Sequence, residues 1–190
     1  MNLINTSSRK ALMSYYTLQS NLLCLIAFVV IFTLELRKKS YQTEIYYLVK
    51  GAVTIAIIIT AVVYHVALAP NNFAMDSLQN SIANKVWADA FVHTISPILV
   101  VIDYFLFDEK GKIKWWNPII WILCSVIYLP FIFIRALILG NNTTLIKYPY
   151  FFLNVDKLGA GKVCLWCIGL VIFFTLLSYL LFLFDYKKRK

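Results

Sequence analysis

Five runs of apolar residues, each long enough to cross a lipid bilayer as a helix, take up most of this 190-residue chain. They fall at about Leu12–Leu36, Tyr46–Ala69, Val86–Phe107, Pro118–Leu139 and Val163–Phe184. A helix needs about 20 apolar residues to cover the hydrocarbon, whereas a tilted barrel strand needs about half as many. Lipid offers no partner to an unpaired backbone N–H or C=O, so segments of this length have to be helices. The sequence therefore predicts an all-α membrane protein, a bundle of five transmembrane helices. Composition agrees: 61% of residues are hydrophobic and 14% charged, with a mean hydropathy of +0.75, outside the soluble range. The longest gap, Gly140–Lys162, is too short for a separate domain, so residues 1–190 read as one integral membrane domain. No internal repeat is visible, and the polar N-terminal lead lacks the cleavage site of a secretory signal.

The net charge of +9 is a topology signal rather than a nucleic-acid signal. One side of the predicted bundle receives Arg37, Lys38, Lys39, Lys50, Lys110, Lys112, Lys114, Lys187, Lys188, Arg189 and Lys190. The other receives Arg9, Lys10, Lys85, Lys147, Lys157 and Lys162, while Arg135 lies within the fourth run. The positive-inside rule then puts the N-terminus outside and the C-terminus in the cytoplasm. The tail Lys187-Lys188-Arg189-Lys190 is suited to anionic lipid head groups. The expected location is the cytoplasmic membrane, and the Lys-, Asn-, Ile- and Tyr-rich composition looks bacterial.

With that orientation the polar residues collect in one layer. Thr17 lies about 7–8 Å below the outer end of the first span, from the helical rise per residue. By the same rise, His93 lies roughly 10 Å below the outer start of the third. His65 closes the second span, and Arg135 is about one turn from the outer end of the fourth. Polar groups within lipid are costly and usually face a bundle interior or a wet cavity. Helical spacing sharpens the pattern. Thr17 and Asn21 share a face, as do Asp89, His93 and Pro97. Asp89 is placed to orient or charge-pair with His93, as the third member of a nucleophile–base–orienter set would be. Pro97 removes a hydrogen bond to the His93 carbonyl and introduces a kink.

Each of these residues also has an ordinary structural reading. A threonine in a transmembrane helix commonly bonds its own backbone or a neighbouring helix. Arg135 either snorkels to the outer surface or binds a carboxylate or phosphate through its guanidinium fork. His65 reads as a boundary residue, Asp103 as one that reaches the inner interface, and Trp115 and Trp116 as interfacial anchors. Cys164-Leu165-Trp166-Cys167 has the spacing of a thiol oxidoreductase. Cys24 and Cys124 offer no second pair on the outer side, and two small residues at a helix contact suffice to explain the motif. No metal-ligand cluster or glycine-rich phosphate loop appears, so no metal or cofactor is expected. The sequons at Asn141 and Asn142 carry no weight in a bacterial chain.

Tyr16-Thr17-Leu18-Gln19-Ser20-Asn21-Leu22-Leu23 resembles the F-T-x-x-S-N-L-L signature of bacterial relatives of the androgen-induced protein family, which includes androgen-dependent TFPI-regulating protein. Trp87-Ala88-Asp89 followed by His93 and Pro97 is similar to its W-A-N…H…P segment. Arg135 and Tyr148-Pro149-Tyr150-Phe151-Phe152-Leu153-Asn154 are similar to its R-G…Y-P-Y-P-F-L-D stretch, and Gly159 to Val163 extends the likeness. The resemblance implies an intramembrane threonine hydrolase with Thr17 as nucleophile and His93 as general base. It implies a lipid ester substrate, such as a fatty acid ester of a hydroxy fatty acid, drawn from the membrane. Asn21, Asp89, Arg135, Tyr148, Tyr150 and Asn154 are the supporting or substrate-binding candidates, and Asn21, Tyr16 and Ser20 the candidate oxyanion donors. The chain departs from the pattern at Asp89, Phe151 and Asn154, and it has five spans where relatives have six. A lipid-binding or scaffolding protein without catalysis is the alternative, a membrane thiol oxidoreductase the third, and a transporter the least favoured because no inverted repeat is visible.

Overall fold

A computed structural model of the chain describes residues 13–37, 42–71, 85–140 and 145–187. The start of the first predicted span, Arg9, Lys10, Lys38, Lys39, the sequons and the basic residues 188–190 lie outside the described residues, as do any contacts they make.

Among the described residues the structure is helical and has no strand, with five helices long and apolar enough to cross a membrane. Helix α1 is Tyr16–Leu36. Helix α2 runs over Glu44–Val63 and continues through a π turn at Tyr64–Leu68. Helix α3 begins at Lys85–Ala90, passes through a π turn at Phe91–Ile95 and ends with Ser96–Phe107. Helix α4 joins Asn117–Trp121 to Leu123–Leu139, and helix α5 is Ala160–Lys187. These bounds agree with the sequence reading to within a few residues, and the largest differences are at α1 and α5. The α5 helix opens three residues before the predicted Val163 and extends past Phe184 to Lys187.

The ends of the helices follow local chemistry. Thr43 caps α2 by accepting from the Tyr46 N–H at 3.4 Å, which satisfies one of the free donors of the first turn. Glu44 places a negative charge in that turn, where the helix dipole favours it. Pro118 occupies the first turn of α4, where its missing N–H costs nothing. Gly140 ends α4 with a positive φ, a conformation that a side chain would strain.

Helix α2 is the centre of the bundle. Half of its apolar window is buried, against 11% for α1 and 17% for α5. It packs on α1, on α3 and on the start of α4. Gly51 lies close against Trp121, where an added Cβ would stand 2.2 Å from the indole Cε2. A small residue at this crossing lets a fully buried tryptophan lie on the α2 backbone. Ile55 and Ile59 of α2, Trp121 of α4 and Phe174 of α5 form the core on that side. A second cluster joins Leu68, Tyr128 and Ile132 to Tyr150, Phe152 and Leu153, so the loop after α4 folds back into the bundle. The outward faces of α1, α4 and α5 carry exposed Phe32, Leu137, Ile138, Leu165 and Leu176.

The two π turns lie beside each other. Each ends two residues before a proline, Leu68 before Pro70 and Ile95 before Pro97. A proline has no N–H for the carbonyl four residues back, and a widened turn is one way for a helix to absorb that loss. The kink expected at Pro97 thus takes the form of a π turn that contains His93 itself.

At the opposite end of the bundle, the structure corrects the charge count, which includes Lys50 among the charges of that side although it falls within the second predicted span. Lys50 sits inside α2 with its side chain 3% exposed, ion-paired with Asp103 and 3.5 Å from Asp108. Tyr46 donates to the same Asp108 carboxylate. Asp103, expected to reach an aqueous interface, is engaged in this pair instead. Burial raises the Asp108 carboxyl above the ordinary aspartate range, against the pull of Tyr46 and Lys50.

Candidate active site

Thr17 is the second residue of α1. Tyr15 precedes the helix in an extended conformation and offers no side-chain cap, so the first N–H groups of the helix lack intrahelical partners. On α3 the π turn directs the His93 ring toward Thr17. The Thr17 Oγ1 lies 3.1 Å from His93 Nε2. On the other side of the ring, Nδ1 lies 3.0 Å from Asp89 Oδ1 and 3.2 Å from the Asp89 carbonyl oxygen. Two acceptors at Nδ1 favour the tautomer with its proton there, which leaves Nε2 free to accept the threonine hydroxyl. Hydroxyl, imidazole and carboxylate therefore stand in line, the arrangement of a nucleophile, a base and the group that orients the base.

Tyr64, in the π turn of α2, completes the support. Its ring stacks on the imidazole with centroids 3.8 Å apart and an 11° interplanar angle, and its hydroxyl donates to Asp89. The next residue, His65, lies with its Nε2 3.0 Å from the Thr94 hydroxyl and thus ties the two π turns together. Nothing in the sequence singles out Tyr64, which reads as one interfacial tyrosine among several.

The three residues put forward as oxyanion donors are all engaged elsewhere. Asn21 commits its amide N–H groups to the Thr17 carbonyl at 2.8 Å and the Val92 carbonyl at 3.1 Å, so it braces α1 against α3. Ser20 is bonded to the Thr17 carbonyl and, at 2.7 Å, to Thr60. The Tyr16 hydroxyl is 2.7 Å from Ser125. Tyr150 is a further polar residue beside Thr17. It is 5% exposed and lines the same cavity as Thr17, where the Thr17 side chain and the first backbone N–H groups of α1 favour its ionised form. Burial pushes its pKa up to about 12, although those contacts pull the other way, so the phenol keeps its proton at neutral pH. Thr17, Tyr16, Thr60, Ser125, Tyr128 and Tyr150 line one cavity together with apolar side chains that include Ile59, Val63 and Phe152.

The other sequence candidates hold the loop rather than the hydroxyl. Arg135 donates through Nη1 to the carbonyls of Ile146 at 2.9 Å and Lys147 at 3.1 Å, and so ties the returning loop to α4. Tyr148 packs on the Tyr150 cluster, with the Lys147 ammonium 5.4 Å from its ring centroid. Asn154 caps the short helix Val155–Leu158 by accepting from the Lys157 N–H at 3.0 Å, a common task for asparagine at a helix start. Cys164 is exposed and Cys167 packs on the same cluster as a free thiol. The structure thus brings Thr17, His93, Asp89, Asn21 and Tyr150 together and places Arg135, Tyr148 and Asn154 in the scaffold around them.

Compared with known proteins, the chain matches no family model, no curated protein and no solved structure.

Proposed function

We propose that this chain is an intramembrane threonine hydrolase that cleaves a lipid ester, with Thr17 as nucleophile and His93 as general base. The observation that carries the proposal is the alignment of Thr17 Oγ1, the His93 ring and the Asp89 carboxylate, with contacts of 3.1 and 3.0 Å. The resemblance of the Thr17, His93 and Tyr148–Asn154 segments to the androgen-induced protein family supports the same chemistry.

In the proposed reaction His93 Nε2 takes the Thr17 hydroxyl proton as Oγ1 attacks the ester carbonyl. The imidazolium that forms is held by Asp89. The Tyr150 hydroxyl, which lines the same cavity beside Thr17 and keeps its proton, donates to the oxyanion as charge develops. Collapse of the intermediate expels the alkoxide, which takes the proton from His93 Nε2, and leaves an acyl-threonine. Water then attacks that ester, again deprotonated by His93, and the carboxylic acid departs as Thr17 regains its proton.

The membrane setting belongs to the same proposal. Lys147, Lys157 and Lys162 mark the end of the bundle that holds the site, whereas Lys110, Lys112, Lys114 and Lys187 mark the other. That balance supports an N-out, C-in topology in a bacterial cytoplasmic membrane, with the site in the outer leaflet and anionic head groups at the C-terminus. A substrate with long acyl chains, such as a fatty acid ester of a hydroxy fatty acid, would come from the lipid itself. The mostly apolar walls of the cavity also favour a second reading, a lipid-binding protein that does no chemistry.

The test is labelling of purified protein in detergent with a lipophilic fluorophosphonate, comparing wild type with Thr17→Ala and His93→Ala. Loss of labelling in both variants at unchanged thermal stability supports the hydrolase. Equal labelling of all three, or none of a well-folded protein, leaves the lipid-binding reading.

A further inference from the structure

A second concavity opens on the outside of the bundle between α2 and α5. Val62 and Val66 of α2 form one wall, and Leu165, Trp166 and Phe173 of α5 the other. Its floor is Val63, Phe152 and Leu170, and these same three side chains also wall the cavity that holds Thr17. One layer of apolar side chains therefore separates the lipid-facing groove from the nucleophile. Exposed leucine and phenylalanine on the other faces of the bundle have no such relation to the site.

Gly169 sits midway along the groove. A Cβ added there would meet nothing within 4 Å, so this glycine is not required by close helix packing, in contrast to Gly51. Its effect is to leave the groove open where any larger residue would fill it. Lys162 stands at the end nearest the loop, and Phe173 lies at the other. The helical rise per residue separates the two by about 16 Å along α5. The groove thus has a cation at one end and apolar side chains at the other, and its length suits an extended hydrocarbon chain.

Resting on the hydrolase reading above, we infer that this groove binds the long acyl chain of the substrate, with its tail directed toward Phe173, and that Gly169 sets the chain length the enzyme accepts. The chain enters between α2 and α5, and displacement of Val63, Phe152 or Leu170 admits the ester to Thr17. An acyl chain is the occupant the site calls for, because a groove that shares its floor with an ester-cleaving cavity has to deliver the ester together with its tail.

The experiment uses the full chain in lipid nanodiscs and has two readouts. Diazirine-bearing palmitate is photo-crosslinked to the Thr17→Ala protein and the adducts are mapped by mass spectrometry, which requires no catalysis. Hydrolysis of 4-methylumbelliferyl butyrate and palmitate is then compared in wild type, Gly169→Leu and Gly161→Leu, the last being an exposed glycine on the same helix but outside the groove. The inference expects adducts on Val66, Trp166 and Phe173, lost when Gly169→Leu is added. It also expects a palmitate-to-butyrate ratio at least tenfold lower in Gly169→Leu and unchanged in Gly161→Leu. Adducts spread evenly over α1 and α4, with an unaltered ratio, would overturn it and leave the hydrolase standing. A groove-specific adduct in a protein that cleaves no ester would sustain the groove and sink the hydrolase. A dimer that Gly169→Leu dissociates would assign the groove to a second copy of the chain and overturn the inference as well.

Discussion

Tyr64 lies flat against His93 and at the same time donates its hydroxyl to Asp89, so one side chain from α2 positions both the imidazole and the carboxylate beside it. The two functions can be separated. Tyr64→Phe keeps the stacked ring and removes the donor, whereas Tyr64→Leu removes both. Aromatic stacking is worth about 0.5–1.5 kcal/mol beyond its buried area, which corresponds to roughly a twofold to tenfold change in rate. Esterase assays should therefore rank wild type above Tyr64→Phe and Tyr64→Phe above Tyr64→Leu by that further factor. Equal activity in the two variants would mean that the stack does not hold the imidazole.

Tyr150→Phe addresses the oxyanion. The phenol is buried and keeps its proton through the working pH range because burial has pushed its pKa up to about 12. Loss of one oxyanion donor typically costs about 10²–10³ in kcat. The expected result is a kcat lower by that order, with KM and thermal stability close to wild type. A change confined to KM would assign Tyr150 to substrate binding instead.

The ion pair between Lys50 and Asp103 gives a stability test far from the site. Lys50 is 3% exposed and has Asp103 and Asp108 as its two carboxylate partners. Removal of one member of a buried pair leaves uncompensated charge and costs about 3–5 kcal/mol. Lys50→Met should lower the melting temperature markedly, and the double change Lys50→Met with Asp103→Asn should recover part of the loss. A double-mutant cycle on unfolding measures the coupling, and simple additivity would deny that the pair acts as a unit.

Gly51→Ala tests the α2–α4 crossing. The new methyl would lie 2.2 Å from the Trp121 indole, which is fully buried and has nowhere to go. Overpacking of this kind costs about 1–3 kcal/mol. Thermal unfolding should report that loss, and Trp121→Leu in the same chain should restore some of it. Gly169→Ala on α5, where no neighbour stands within 4 Å, should be tolerated.

The parts of this structure that are legible in the sequence are those set by periodicity along one helix. Hydropathy places the five helices, and the i, i+4 spacing puts Asp89 on the face of His93, where its carboxylate lies 3.0 Å from Nδ1. Counting residues from the span ends puts Thr17 and His93 in one polar layer, and the two side chains meet at 3.1 Å. What stays hidden depends on contacts between segments far apart in the chain. Lys50 meets Asp103 across 53 positions, and nothing in either local sequence distinguishes that pair from two interfacial charges. Arg135 reads equally well as an anion ligand because a guanidinium suits both tasks, yet it is held by the carbonyls of a loop 11 and 12 residues on. Tyr150 is visible as a loop residue, but its approach to the start of α1 needs the loop to fold back into the bundle.

The paired π turns make the length of α2 and α3 a quantity that is counted. Each contains a widened turn at the His93 end of the bundle, and in α3 part of that turn lies between His93 and Asp103. Every residue of a regular helix advances the face by about 100°. Excision of Thr94 or Ile95 from the α3 turn would therefore swing His93 away from Thr17 while Asp103 held its place beside Lys50. Insertions and deletions here would act as rotations of one end against the other, invisible to hydropathy and decisive for whether the imidazole finds the threonine.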